Sequence, residues 1–77
     1  MNEKILQCIV KATNRNELNC LDPDENFAAN DIDSLDQMSI MLEVEAMFDI
    51  EFGEEVEPKS ITCINDYAKL VTDIQSN

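Results

Sequence analysis

Apolar residues recur at helical spacing in three stretches of this chain, and the segments between them lack that rhythm. From Asn2 to about Arg15, Ile5, Leu6, Ile9, Val10 and Ala12 fall on one face, with Lys4, Gln7, Lys11 and Asn14 opposite. Asn2 can cap this helix, and Glu3 near its start with Lys11 and Arg15 near its end suit the helix dipole. A second helix is predicted from about Ser34 to Met47. Its core stripe is Ile40, Val44 and Phe48, joined by Met41, while Leu35, Met38 and Leu42 make a second apolar line. A short helix cannot bury both lines fully, so the second is either a wide core stripe or a contact surface. Methionine, which adapts to several partners, favours contact. A last helix, from about Cys63 to Gln75 with Ser60 or Thr62 as cap, presents Ile64, Tyr67, Leu70, Val71 and Ile74 inward.

Between the first two helices, Asn16 to Ile32 reads as a long loop rich in Asn and Asp, with Pro23. Leu18, Leu21, Phe27 and Ile32 are its predicted anchors. After the second helix a turn is expected near Gly53, the only glycine, with Ile50 and Phe52 pointing inward. Glu54 to Lys59 is acidic and broken by Pro58, so one short helical turn is the most it holds. The pattern predicts an all-α fold in a single domain covering residues 1–77, with a small core.

Charge adds a constraint on partners. The net charge is −12, and from Asn16 to Glu57 there are 14 Asp or Glu and no Lys or Arg. Such a field repels nucleic acid and anionic membranes and attracts basic protein surfaces, speeding salt-sensitive encounters. Cys8, Cys20 and Cys63 are odd in number and lack CxxC spacing, so the expectation is reduced thiols, buried or inert. The first residues lack the apolar core of a signal peptide, and no apolar run approaches membrane-spanning length, so a cytoplasmic monomer is expected.

Catalytic constellations are scarce. The chain has no histidine, which excludes Ser-His and Cys-His nucleophiles, and one glycine cannot build a phosphate-binding loop. The many carboxylates read as a solvated face, and the chain reads as no enzyme. Asp22, Asp24, Asn26, Asn30 and Asp33 match EF-hand positions 1, 3, 5, 9 and 12, but Phe27 stands where the loop needs Gly and Asp33 where it needs Glu. Calcium binding is therefore a competing reading, as is a helical interaction module with an unmodified serine, and no metal site is predicted.

The distinctive stretch is Asp31-Ile32-Asp33-Ser34-Leu35-Asp36. Asp33 looks like an N-cap, which puts the Ser34 hydroxyl in the first turn of the second helix. Backbone N–H groups there have no intrahelical partners and the dipole is positive, so a phosphate ester on Ser34 is received favourably.

Asp33-Ser34-Leu35, with Phe27 seven residues before the serine and Phe48-Asp49-Ile50 after the helix, resembles the acyl carrier proteins over nearly all 77 residues. The resemblance implies a four-helix bundle with three longer helices and one short, and a 4′-phosphopantetheine arm on Ser34 that carries acyl groups as thioesters. It implies recognition by partner enzymes through Asp33, Leu35, Asp36, Met38, Leu42, Glu43 and Glu45. Those partners are a phosphopantetheinyl transferase, an acyl ligase or acyltransferase, and synthase enzymes with basic docking surfaces. Fatty acid, polyketide or related specialised biosynthesis is the implied setting, with an aminoacyl, D-alanyl or peptidyl carrier as the alternative. Family members commonly carry a Leu-Gly pair where Asn30 and Asp31 stand, so Asp31 is expected in a conformation that glycine takes more cheaply. Ser39 and Ala46 stand where fatty-acid carriers often have acids, which points to a specialised pathway. The family also suggests that Met41, Val44, Phe52, Ile61 and Leu70 line a gap for an apolar acyl chain.

Overall fold

In the computed structural model, which describes residues 1–53 and 56–76, three α-helices carry the chain: α1 (Asn2–Thr13), α2 (Ser34–Phe48) and α3 (Ile64–Gln75). No strand occurs among the described residues. Single 3-10 turns lie at Asn16–Cys20, Phe27–Asn30 and Pro58–Ser60. The last is the only helical turn described where a short fourth helix was expected; Glu54 and Glu55, which belong to that expectation, lie outside the described residues.

Two helices end on left-handed residues. Asn14 turns left-handed (φ 56°) and gives its N–H to the Val10 carbonyl, so α1 stops at Thr13, short of Arg15. Asp49 does the same (φ 54°) and stops α2 after Phe48. Gly53 is not at positive φ, and its carbonyl accepts the Val56 N–H at 3.0 Å; the left-handed step comes earlier, at Asp49. Asn and Asp tolerate this region better than other residues bearing a Cβ.

The core forms where the predicted stripes meet. α1 contributes Ile5 and Ile9, α2 Ile40 and Val44, α3 Ile64, Tyr67 and Val71, all buried. Cys8 joins them on α1, a position the apolar pattern did not mark. Burial pushes its thiol pKa up, and the Glu43 carboxylate adds to the shift. The other two thiols, also free, differ: Cys63 is half-buried, whereas Cys20 is exposed and its Sγ donates to Asn19 Oδ1.

All four predicted loop anchors are buried. The loop is also stitched to the start of α3: the Phe27 N–H donates to the Thr62 carbonyl at 2.8 Å and the Asn65 N–H to Pro23 at 3.1 Å. Long as it is, the segment is therefore fixed at both its apolar and its backbone groups. At the start of α3 neither Ser60 nor Thr62 is the cap; Cys63 occupies that position. The Asp66 carboxylate instead reaches back and accepts from the Thr62 N–H (2.9 Å) and hydroxyl (3.0 Å).

Tyr67 is the hub. Its ring lies 6.0 Å from Phe27 and 6.3 Å from Phe52, and its hydroxyl approaches the Gln37 carbonyl at 3.5 Å. Gln37 itself is buried and its amide donates to the Ile61 carbonyl at 3.3 Å, joining α2 to the segment before α3. No buried side-chain N or O atom among the described residues lacks a partner.

Candidate functional site

The first turn of α2 is built by its own cap. Asp33 has extended backbone (φ −88°, ψ −176°), its Oδ1 accepts the Asp36 N–H at 2.9 Å, and its carbonyl accepts the Gln37 N–H at 2.9 Å. Ser34 is thereby the first helical residue, and it is exposed. Ahead of it, Ile32 is buried and anchors the loop, and Asp31 is left-handed (φ 60°, ψ 29°), as its place in the glycine position suggested. The Arg15 guanidinium crosses from the end of α1 to this turn, donating to the carbonyls of Asn30 (3.0 Å) and Asp31 (3.4 Å).

A groove of about 270 Å³ opens beside Ser34, lined also by Met38, Glu57, Pro58 and Lys59. Lys59 is exposed, the one cation of that lining. A phosphate ester on Ser34 would meet the positive end of α2, with Lys59 in the same groove lining and the acids Asp33 and Asp36 in the cap and first turn. The exposed hydroxyl, the open groove and the free helix-end N–H groups fit an attached phosphorylated arm.

The expected recognition residues fall into two sets. Leu35 (74% exposed), Met38 (54%) and Leu42 (66%) form one outward apolar line, so they are not a wide core stripe. Met47, 43% exposed, is a further outward apolar residue of α2 that was missed; five residues after Leu42, it lies about 140° around the helix and so off that line. Asp33 is exposed and Asp36 half-buried at the Ser34 end. Glu43 and Glu45 are not gathered with them. Glu43 pairs with Lys11 of α1 at 3.4 Å, and Glu45 Oε2 accepts the Phe52 N–H at 2.9 Å.

Three residues of the EF-hand-like spacing have a side-chain oxygen engaged in local turns. Asp22 Oδ1 accepts the Asp24 N–H, Asn26 Oδ1 the Ala28 N–H, and Asp33 Oδ1 the Asp36 N–H. Among the described residues no group of three or more His, Cys, Asp or Glu is placed to hold a metal ion. Of the five residues expected to line an acyl gap, Ile61 and Leu70 border a common groove of about 270 Å³, while Val44 is fully buried. No helix among the described residues is long and apolar enough to cross a membrane.

The comparison with protein families returns one described as "Phosphopantetheine attachment site", whose model matches residues 3–71. Neither the curated proteins nor the solved structures gave a match.

Proposed function

The chain belongs to the phosphopantetheine attachment-site family, carrier domains that bear a covalently bound 4′-phosphopantetheine, and on that premise we propose that Ser34 is the attachment residue. One observation carries this reading: an exposed serine at the capped, positive end of α2, beside an open groove. When attached, the arm supplies a terminal thiol on which cargo is held as a thioester. The residues of this chain do the rest. Ser34 Oγ forms a phosphoester bond to the phosphopantetheine phosphorus of coenzyme A as the pyrophosphate bond breaks, adenosine 3′,5′-bisphosphate leaves, and the serine proton goes to a base of the transferase. Asp33 keeps the first turn of α2 closed, with Ser34 exposed at its start.

The partners are a phosphopantetheinyl transferase, then an acyl ligase or acyltransferase and synthase enzymes that meet α2 with basic and apolar groups. Leu35, Met38 and Leu42 supply the apolar contact, with Asp33 and Asp36 beside the serine. The chain acts as carried substrate, with no catalysis of its own, as a cytoplasmic monomer. The Pro58–Ser60 turn stands in for the short helix of a four-helix bundle. A specialised pathway is favoured over general fatty-acid synthesis, with acyl cargo the reading and aminoacyl, D-alanyl or peptidyl cargo its alternative. Support for this comes from Ser39 and Ala46, both exposed where fatty-acid carriers often have acids, and from Glu43 and Glu45, already engaged within the fold. Tethering raises the cargo's effective concentration at each docked enzyme.

The test is intact mass after incubation with coenzyme A and a broad-specificity phosphopantetheinyl transferase. One phosphopantetheine is expected on the wild type and none on Ser34→Ala. Equal addition to both would move the attachment elsewhere, and addition to neither would favour an unmodified interaction module.

A further inference from the structure

Arg15 is the only basic residue between Lys11 and Lys59 in a chain with 17 Asp and Glu, yet its guanidinium goes to backbone. Its Nη2 alone reaches the carbonyls of Asn30 (3.0 Å) and Asp31 (3.4 Å). Among the described residues the ion pair that does form is Lys11–Glu43.

Those two carbonyls finish the 3-10 turn Phe27–Asn30, the end at which a cation is favoured. They also flank the nitrogen and carbonyl of a left-handed aspartate. Asp31 donates its N–H back to Ala28 at 3.3 Å, and the next N–H, of Ile32, returns to Phe27 at 3.2 Å. A residue with a Cβ holds φ 60° less readily than glycine, so the conformation calls for a restraint from outside the turn. Arg15 supplies it from the far side of α1's left-handed stop at Asn14. Only Ile32 and Asp33 separate this clamp from Ser34, and both are fixed, one by burial and one by capping.

Taking Ser34 as the attachment residue, we propose that Arg15 is its positioning residue. Held through Asn30 and Asp31, the turn sets the direction in which Asp33 enters α2 and hence the angle at which Ser34 Oγ is presented. Arg15 replaces, from a distance, what a glycine at position 31 would supply locally.

The experiment measures kcat and KM for phosphopantetheine transfer from coenzyme A to the wild type, Arg15→Gln, Arg15→Lys, Asp31→Gly and Arg15→Gln/Asp31→Gly, with Ser34→Ala as control. Amide-to-Hα couplings at residue 31 and urea midpoints are recorded on each chain. Arg15→Gln is expected to lower kcat about tenfold with KM little changed, because the α2 face is untouched. Its Asp31 coupling should leave the left-handed value. Arg15→Lys, which keeps the charge without the long planar fork, should fall between. Adding Asp31→Gly to Arg15→Gln should restore kcat to within about twofold of Asp31→Gly alone, even where the urea midpoint stays low. An Arg15→Gln chain as good an acceptor as the wild type overturns the proposal, as does a loss that Asp31→Gly does not rescue. A wild type modified no more than Ser34→Ala overturns instead the attachment reading beneath it.

Discussion

α2 and α3, helices of 15 and 12 residues, distribute their apolar side chains differently: those of α3 gather on one face, whereas those of α2 spread around the helix. α3 turns Ile64, Tyr67 and Val71 into the core and packs Leu70 and Ala68 against its edge. α2 buries Ile40 and Val44, then leaves Leu35, Met38, Leu42 and Met47 in solvent and buries a glutamine instead. For a chain of 77 residues whose core is small, withholding four large side chains from it sacrifices stability. The difference separates a helix whose apolar side chains hold the fold from one that leaves large apolar side chains in solvent.

The sharpest way to break that comparison is to cut each helix on its own terms. Ile64→Ala removes a fully buried side chain and should lower the free energy of unfolding by about 2–5 kcal/mol, read from urea titration by circular dichroism. Transfer to Ser34 at temperatures where the variant stays folded should be little changed. If Leu42→Ser costs as much stability as Ile64→Ala, α2's outer line belongs to the core and the distinction fails.

A smaller effect is expected from the outer face. Leu35→Ser, Met38→Ser and Leu42→Ser should each shift stability by less than about 0.5 kcal/mol. The combined variant should raise the transferase KM about tenfold, equivalent to ~1.4 kcal/mol of lost contact. An unchanged KM would assign docking to another surface.

The smallest effect concerns how α3 begins. Hydrogen bonding from the Thr62 N–H holds the Asp66 carboxyl below the usual carboxylate range. A depressed folded pKa stabilises the fold above the ordinary aspartate value of about 3.9, and that contribution is lost as pH falls through the folded value. The urea midpoint of the wild type should drop between about pH 5 and pH 2, and that of Asp66→Asn should drop less. Solvent screens this exposed edge, so the difference is small; identical slopes would remove Asp66 from the capping of α3.

How much of this was legible before the fold depends on the kind of contact. Leu18, Leu21, Phe27 and Ile32 stood out because isolated apolar residues in a polar loop have few alternatives to burial. Asp33 was legible as a cap because capping is a local bond between residues three apart. Gln37 was not, because its partner, the Ile61 carbonyl, lies 24 residues away. Glu43 and Glu45 were read as free docking acids for the same reason: Lys11 and the Phe52 N–H claim them only once the chain is folded. The left-handed step after α2 was not legible, because glycine draws attention at Gly53 while an aspartate makes it at Asp49. The clamp from Arg15 to the turn before Ser34 left no trace in spacing, since a guanidinium bound to carbonyls has no partner residue type to betray it.

Tyr67, packed between Phe27 and Phe52, is also the chain's single tyrosine, and there is no tryptophan. The near-ultraviolet signal of the protein therefore comes chiefly from one ring at the meeting of α2, α3 and the long loop. Burial pushes its phenol far above the ordinary tyrosine range, so the phenolate absorption band can rise only as the core opens. The protein carries its own optical gauge of whether its helices are together, with no label added.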